Sequence, residues 1–192
     1  MARASAAAAA RTAQQVLDAA RDLFASRGYA AVLLDDVAQG AGVTRGAVYH
    51  HYGSKAGLFG AVVTGLQSDI AQAVVEAADD AGADPADQLR AGSHAFLDAI
   101  TTGAAVRVLL VDAPAVIGWE AWRRLDAENS AAHLRDALQN VGVDDEHLDA
   151  TTVQLSGAMN EAALWVAQHH DATRAREQAH VVLDRLLASL VA

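Results

Sequence analysis

Residues 35–52 read DDVAQGAGVTRGAVYHHY, and this stretch decides which fold the sequence predicts. Two short segments with apolar residues at helical spacing lie on either side of Gly42, a residue suited to a tight turn. Thr44 stands just before the second segment, where a hydroxyl side chain can cap a helix. The residues expected to pack the two helices together are Val37, Ala38, Val43 and Val48. The stretch therefore predicts a helix-turn-helix unit.

The second helix of this pair is predicted to present a small, polar face that suits the major groove of DNA. Gly46 and Ala47 carry so little bulk that the helix can approach the duplex closely. The fork of Arg45 matches guanine O6 and N7, while hydroxyl, imidazole and ammonium groups can donate to phosphate oxygens. The predicted DNA-contacting residues are Thr44, Arg45, Gly46, Ala47, Tyr49, His50 and Lys55.

The segments beside this unit also have helical patterns. A first helix is predicted over residues 11–27, started by a capping box of Thr12 and Gln15. Ser54 is predicted to cap a long fourth helix with an apolar stripe along one face. Beyond the linker 81–85 only helical periodicity is present, and period-2 alternation is absent. Helices are predicted at 86–101, 104–112, 115–141, 147–169 and 173–190, so the chain is expected to be all-α with about nine helices.

Composition restricts the possible functions. The 192 residues contain no cysteine, which excludes a disulfide, a thiolate zinc site and a cysteine nucleophile. No apolar run reaches the ~18 residues that a spanning helix needs, so we expect no membrane span and a cytoplasmic protein. The net charge of −10 is unevenly distributed: residues 1–59 hold six basic against four acidic residues, the remainder eight against twenty. A mildly basic head on an acidic body favours one orientation on DNA.

Several motifs of the first third of the chain resemble the DNA-binding signature of the TetR family of transcriptional repressors. They are Gly28-Tyr29, Asp36-Val37-Ala38, the run AGVTRGAVYHHY over 41–52 and SKAGLF over 54–59, and the resemblance spans about residues 12–63. It implies that the third helix enters the major groove. The family's groove-facing and phosphate-contacting positions correspond here to Thr44, Arg45, Ala47, Tyr49, His50 and Lys55.

The resemblance also implies an organisation and a function for the whole chain. We expect a flexible N-terminal arm over 1–10, a helix-turn-helix domain over 11–56 and a ligand-binding and dimerisation domain over 57–192. The implied function is that of a repressor, not an enzyme, which needs no cofactor and no metal. A homodimer formed through the last two helices would bind palindromic double-stranded operator DNA and release it when a small-molecule effector binds.

The sequence departs from the family pattern at the start of helix two. The family usually has Thr or Ser there, whereas this chain reads Val32-Leu33-Leu34. Loss of such a cap costs about 1 kcal/mol and removes one phosphate contact. Gly57, where the family often has Glu, and Gly40 are expected to weaken their helices as well.

Candidate pocket residues are aromatic and polar side chains of the body, since ligand sites combine apolar walls with a few polar anchors. The candidates are His94, Phe96, Leu109, Trp119, Trp122, Met159, Asn160, Glu161 and Trp165. Any one of the tryptophans can equally be an ordinary core or interface residue.

Three alternatives stay open from the sequence. The last two helices can be a buried pair within a monomer instead of a dimer interface. A degenerate DNA head would leave a helical protein that acts through protein or ligand binding. A metal-dependent sensor or enzyme is suggested by the eight histidines, but no His-Glu-x-x-His motif or other metal-ligand spacing supports it.

Overall fold

The computed structural model describes residues 2–190, with side chains from residue 6 onward, and these residues form an all-helical fold without strands. The head consists of α1 (Ala2–Arg27), α2 (Leu34–Gly40) and α3 (Arg45–Tyr52), followed by the long α4 (Lys55–Asp80). The body consists of α5 (Pro85–Ile100), α6 (Gly103–Ala105), a π-helical segment π1 (Val106–Asp112), α7 (Ala113–Val116), α8 (Trp119–Glu128), α9 (Ser130–Asn140), α10 (Asp145–Gln168) and α11 (Ala172–Ala188). The predicted all-α class is confirmed.

The first helix begins earlier than predicted. Residues 2–10, expected as a flexible arm, continue α1 because a run of alanines has the highest helix propensity. The predicted capping box at Thr12 is wrong, since its hydroxyl lies inside the helix and donates to the Ala8 carbonyl oxygen at 3.1 Å. Met1 of the predicted arm and residues 191–192 of the predicted body lie outside the described residues.

The helix predicted over 115–141 is wrong in its bounds. The chain stays helical through Ala113 and Pro114, because proline is tolerated in the first turn of a helix. It breaks instead at Gly118, whose φ of 87° is readily adopted only by glycine. A second break at Asn129 separates α8 from α9.

A continuous core runs through head and body, and α4 passes between them. Its Leu58 and Phe59 are fully buried under the head, and Ile70 is buried farther along the same helix. The Phe59 ring meets that of Phe24 edge to face, with centroids 5.1 Å apart. By length and composition α4 could cross a membrane, but its apolar side chains are those that build this core.

The head also touches the body through the loop after α1. The Tyr29 backbone N–H donates to the Asp112 carboxylate oxygen Oδ2 at 2.8 Å, and Asp112 ends π1. The Arg107 guanidinium, also on π1, lies so close to Gly28 that a Cβ there would be 2.5 Å from Nη2. Gly28 suits this position because its φ is 81°, a backbone conformation that glycine adopts readily.

Candidate functional site

The predicted helix-turn-helix is present as α2, a turn and α3. Gly42 has a φ of 67° in the turn, which suits glycine. Thr44 caps α3 as predicted, because its Oγ1 accepts a hydrogen bond from the Ala47 N–H at 3.2 Å. Val37 and Val48 are almost completely buried between the helices, so the expected packing is confirmed.

The outer face of α3 carries most of the predicted DNA-contacting residues. Arg45, Gly46, Tyr49 and His50 are exposed, and Ala47 is half-buried. The Arg45 guanidinium donates to Asp35 Oδ2 at 3.0 Å and to Tyr49 Oη at 3.3 Å. The hydrogen bond that Arg45 donates to Tyr49 and then the charge of Asp35 raise the pKa of Arg45. Arg45 is thus a charged, oriented donor at the surface of the head.

Lys55 lies beside the loop after α1, at the start of α4. Its Nζ donates to the Ala30 carbonyl oxygen at 3.3 Å and lies 4.4 Å from the centroid of the Tyr29 ring. Lys55 is half-buried, and these two contacts hold its ammonium beside the loop after α1. Its position is linked through Tyr29 to Asp112 of the body.

The start of α2 lacks a side-chain cap, as the sequence indicated. Leu33 occupies the N-cap position and is 61% exposed. Its backbone N–H donates instead to Asp36 Oδ2 at 3.4 Å, a long bond that replaces part of the missing cap. The carboxylates of Asp35 and Asp36 in the first turn also complement the positive end of the helix dipole.

Gly57 has a structural role that the sequence did not reveal. A Cβ at this position would collide with the backbone carbonyl oxygen of Tyr52, which accepts a hydrogen bond from the Ser54 N–H at 2.7 Å. Glycine therefore lets the end of α3 fold closely over the start of α4. Ser54 caps α4 as predicted, accepting from the Gly57 N–H at 3.0 Å.

The body contains a cavity of about 180 Å³ between α4, α5, α8, α9 and α10. Its walls are mainly apolar, and they include Val74, Leu89, Phe96, Leu134 and Met159. Polar groups are interspersed among these walls. The polar side chains of the lining are Asp79, Gln88, Ser93, Asp126, Ser130, His133, Asp136, Asn140 and Ser156.

Asp126 is the most deeply buried charged group of this lining, with 2% of its surface exposed. Its Oδ2 accepts hydrogen bonds from Asn160 Nδ2 at 3.1 Å, Ser156 Oγ at 3.2 Å and Arg123 Nη1 at 3.4 Å. Burial raises the pKa of Asp126, and the three donors oppose that shift. The network holds the carboxylate in one place and leaves Oδ1 out of these three bonds.

The structure brings together only some of the predicted pocket residues. Phe96 and Met159 line the cavity, and Asn160 holds its carboxylate. Leu109 is fully buried in the core and is absent from the lining. Trp122 is buried and its Nε1 has no partner, whereas Trp119 stacks on it and is 62% exposed.

The other candidates lie elsewhere. His94 stacks on His180 with ring centroids 4.2 Å apart, and its Nε2 pairs with Asp184 Oδ1 at 2.7 Å. Glu161 and Trp165 line an open apolar groove between α10 and α11. These three residues are therefore not neighbours of Phe96 in the cavity wall.

Sequence reasoning missed Asp126, Ser93, Ser130 and Ser156. Each is a polar residue at a helix position that faces the core, so a polar residue on an apolar stripe was the available signal. Within residues 2–190 there is no group of three or more His, Cys, Asp or Glu side chains that could hold a metal ion.

Two family models match the chain at the two units just described. The model for bacterial regulatory proteins of the tetR family matches residues 16–62, and that for the tetracyclin repressor-like C-terminal domain matches residues 86–190. The chain belongs to the TetR family. It is a transcriptional regulator with a DNA-binding helix-turn-helix, and its family and relatives are regulators, not enzymes.

Individual transcriptional regulators are similar to this chain over different lengths. A TetR-family regulator from Pectobacterium atrosepticum is similar over 96% of both chains, with 32% identity and a TM-score of 0.78. The regulator SrpR of Pseudomonas putida is 45% identical over 67 residues, which cover 35% of this chain and 32% of SrpR. The match to a second P. putida regulator, TtgW, covers 50% of that protein. The chain therefore spans at most half the length of these two curated relatives.

A more distant fold neighbour has been crystallised with a ligand. This protein, RolR in complex with resorcinol, is 17% identical with a TM-score of 0.67, over 97% of this chain and 94% of that one. At this identity the likeness shows the fold alone.

Proposed function

We propose that this TetR-family regulator is a repressor that binds palindromic operator DNA as a homodimer and releases it when a small molecule occupies the body cavity. The observation that carries the proposal is the exposed face of α3, where Arg45, Tyr49 and His50 stand together on a helix capped by Thr44. In a dimer, two such helices would enter successive major grooves ~34–36 Å apart. Such a protein is expected to work in the cytoplasm.

The contacts of the head suggest that Arg45 and Lys55 have different roles on DNA, one in reading the sequence and one in binding phosphate. Arg45 can exchange its bonds to Asp35 and Tyr49 for a bidentate contact with guanine, which would read the sequence. Lys55 is a point charge beside the helix and suits a phosphate oxygen, which would fix the register. The exposed Leu33 offers no hydrogen bond to phosphate, so the contact that Thr or Ser makes in the family is missing.

The outer faces of α10 and α11 support dimerisation. Trp165, Val181, Val182 and Leu186 are between 42% and 54% exposed, although each is a large apolar side chain. The single chain leaves this face uncovered, which is contrary to the alternative of a fully buried helix pair. The same face on a second copy would make a four-helix bundle, a common dimer interface.

Helix α4 supports a mechanical link between cavity and head. Val74 and Val75 of α4 line the cavity, while Lys55, Leu58 and Phe59 at its start pack against the head. The two ends are roughly 30 Å apart at 1.5 Å per residue. A ligand that displaces the cavity end would change the spacing of the two α3 helices, and it acts only by its differential affinity for the two forms.

A binding assay with the DNA that flanks the protein's own gene tests the proposal. Fluorescence anisotropy across a salt series should show specific binding with a steep salt dependence. Arg45→Ala should lose the preference for this DNA over a scrambled duplex, at a cost of roughly 1–3 kcal/mol. Lys55→Ala should weaken both duplexes about equally and reduce the salt slope.

Arg135→Ala is the matched control, because Arg135 is an exposed arginine of the body that pairs with Asp149. It should bind like the unaltered protein. Weak binding that does not distinguish the two duplexes would favour the degenerate-head alternative. Equal effects of Arg45→Ala and Lys55→Ala on sequence preference would contradict these separate roles of Arg45 and Lys55.

A further inference from the structure

The body cavity has a chemistry that selects one class of effector, and this inference rests on the proposed function. We propose that the effector is a primary amine, bound as its ammonium ion, on an apolar body of about one ring. The size of the cavity, the sign of its charges and its buried, unpartnered hydrogen-bond acceptors support this class of ligand.

The size of the cavity limits the apolar body. Its volume is about 180 Å³, and an apolar cavity of ~150 Å³ is large enough to bind benzene. The walls formed by Val74, Leu89, Phe96 and Leu134 suit a ring or a branched alkyl group of that size. A long acyl chain or a fused polycycle would have to extend out through the open side of the cavity.

The charges of the lining are those of an anionic site. Asp79, Asp126 and Asp136 line the cavity, Asp126 buried and the other two at its solvent-exposed edge, and no lysine or arginine of the described residues belongs to the lining. Arg123 pairs with Asp126 but does not belong to the lining. Its side chain is 31% exposed, so its guanidinium also contacts solvent. A cation therefore gains favourable electrostatic energy in this cavity, and a carboxylate ligand would be repelled.

Three acceptors of the buried part of the lining are free to receive a primary ammonium group. The Oγ atoms of Ser93 and Ser130 are buried in the cavity wall without a partner, and these residues are 4% and 6% exposed. Together with Asp126 Oδ1 they supply three acceptors, and an ammonium group has three N–H donors. A buried hydroxyl without a partner costs free energy that such a ligand would recover.

Three one-ring probes of nearly equal size separate the possibilities: benzylamine, benzyl alcohol and benzoate. Isothermal titration of the full-length protein without DNA should give binding in that order, with benzoate undetectable. Asp126→Asn should weaken benzylamine by ~10-fold or more, since a charge-assisted hydrogen bond is lost, and change benzyl alcohol by less than ~2-fold. The Ser93→Ala/Ser130→Ala double variant should weaken benzylamine by at least ~5-fold.

Asp98→Asn is the matched control, because Asp98 pairs with Arg176 and His180 outside the cavity. Circular dichroism melting of each free variant shows whether it folds, and the serine double variant carries the test if Asp126→Asn does not. Tighter binding of benzyl alcohol or benzoate, no binding of benzylamine up to ~10 mM, or equal affinities in variant and control would overturn the proposal.

Operator binding is measured separately on the same samples. If benzylamine binds as predicted but leaves operator affinity unchanged, the ligand class stands and effector-driven release fails. If the operator is bound and another class of compound releases it while benzylamine does not bind, the ligand inference fails and the proposed function stands.

Discussion

At the scale of single residues, departures from the family pattern have different structural meanings. The sequence predicts that Gly57 weakens α4, yet the close approach of the Tyr52 carbonyl oxygen makes glycine necessary there. Leu33 removes the N-cap interaction of α2, because no side chain caps this helix and the Leu33 side chain lies in solvent. The same kind of sequence anomaly is therefore a requirement at one site and a defect at the other.

Leu33→Thr should repair this defect. A threonine hydroxyl at the N-cap can accept a backbone N–H of the first turn of α2, which should raise the free energy of unfolding by about 1 kcal/mol. It should also tighten operator binding by adding a phosphate contact. Urea denaturation and anisotropy measure the two effects, with Leu33→Ala as the control that lacks the hydroxyl. Equal stabilities of the two variants would show that the cap does not form.

His180 should make stability depend on pH. Burial, His94 and Arg176 lower the pKa of His180, and they outweigh Asp98 and Asp184, which raise it. Its pKa is thus lower in the folded chain than the ordinary value of 6.5, so the unfolded chain binds the proton more tightly. Stability from this group is present above pH 6.5 and is lost as the pH falls below it.

This predicted loss of stability on acidification can be measured as melting temperatures between about pH 7.5 and about pH 5.5. The unaltered protein is compared with His180→Gln. The decrease on acidification should be smaller for His180→Gln, which keeps a hydrogen-bonding side chain opposite Asp98 but cannot be protonated. His147→Gln is a control, since His147 is an exposed residue at the start of α10. Parallel curves for the protein and His180→Gln would refute the assignment.

At the scale of elements, the contact between π1 and the loop after α1 joins the body to the head. Asp112 accepts a hydrogen bond from the Tyr29 N–H, and the Lys55 ammonium lies over the Tyr29 ring. The carboxylate is mostly buried, with 18% of the side chain exposed, and Arg107 Nε lies 4.0 Å from the same oxygen. The placement of Lys55 therefore depends on a residue of the body far away in sequence.

Asp112→Ala should release this loop. Removal of a buried acceptor leaves the Tyr29 N–H unpaired, which should cost about 1–3 kcal/mol in the free energy of unfolding. Hydrogen exchange at the Tyr29 amide should become faster, and operator affinity should fall together with the Lys55 contact. Asp112→Asn keeps an acceptor oxygen and should stay close to the unaltered protein. Unchanged exchange at Tyr29 in Asp112→Ala would show that the bond does not hold the loop.

At the scale of the whole molecule, the apolar face of α10 and α11 is the surface that the single chain does not cover. Leu186→Glu should place a charge in the proposed bundle and shift the protein to a monomer of 19.9 kDa, half the mass of the dimer. Sedimentation velocity measures the mass, and operator binding should fall because two linked heads bind far more tightly than one.

Val111→Glu is the control for Leu186→Glu, because Val111 is 59% exposed on π1, away from this face. It should leave the mass unchanged. A Leu186→Glu protein that keeps the mass of a dimer would move the interface elsewhere, and an unaltered protein that is already monomeric would contradict the dimer itself.

The sequence by itself determined the head and the fold class. The spacing of Val37, Val48, Gly42 and Thr44 sufficed because caps, turns and helix packing act over a few residues. It located the helices of the body less well, since Pro114 looked like a break and Gly118 did not. The local sequence allows a helix either to continue or to end at Pro114 and at Gly118, and packing against the core decides which occurs.

Only the tertiary structure decided which side chains form the cavity. Phe96, Asp126 and Met159 come from three helices that are distant in sequence, and nothing in their local spacing relates them to one another. The same holds for His94 and Trp165, which the sequence grouped with them and the structure separates. Local order follows from short-range interactions along the chain, whereas a cavity is defined by the rotation and crossing of whole helices, which only the packing of the complete core sets.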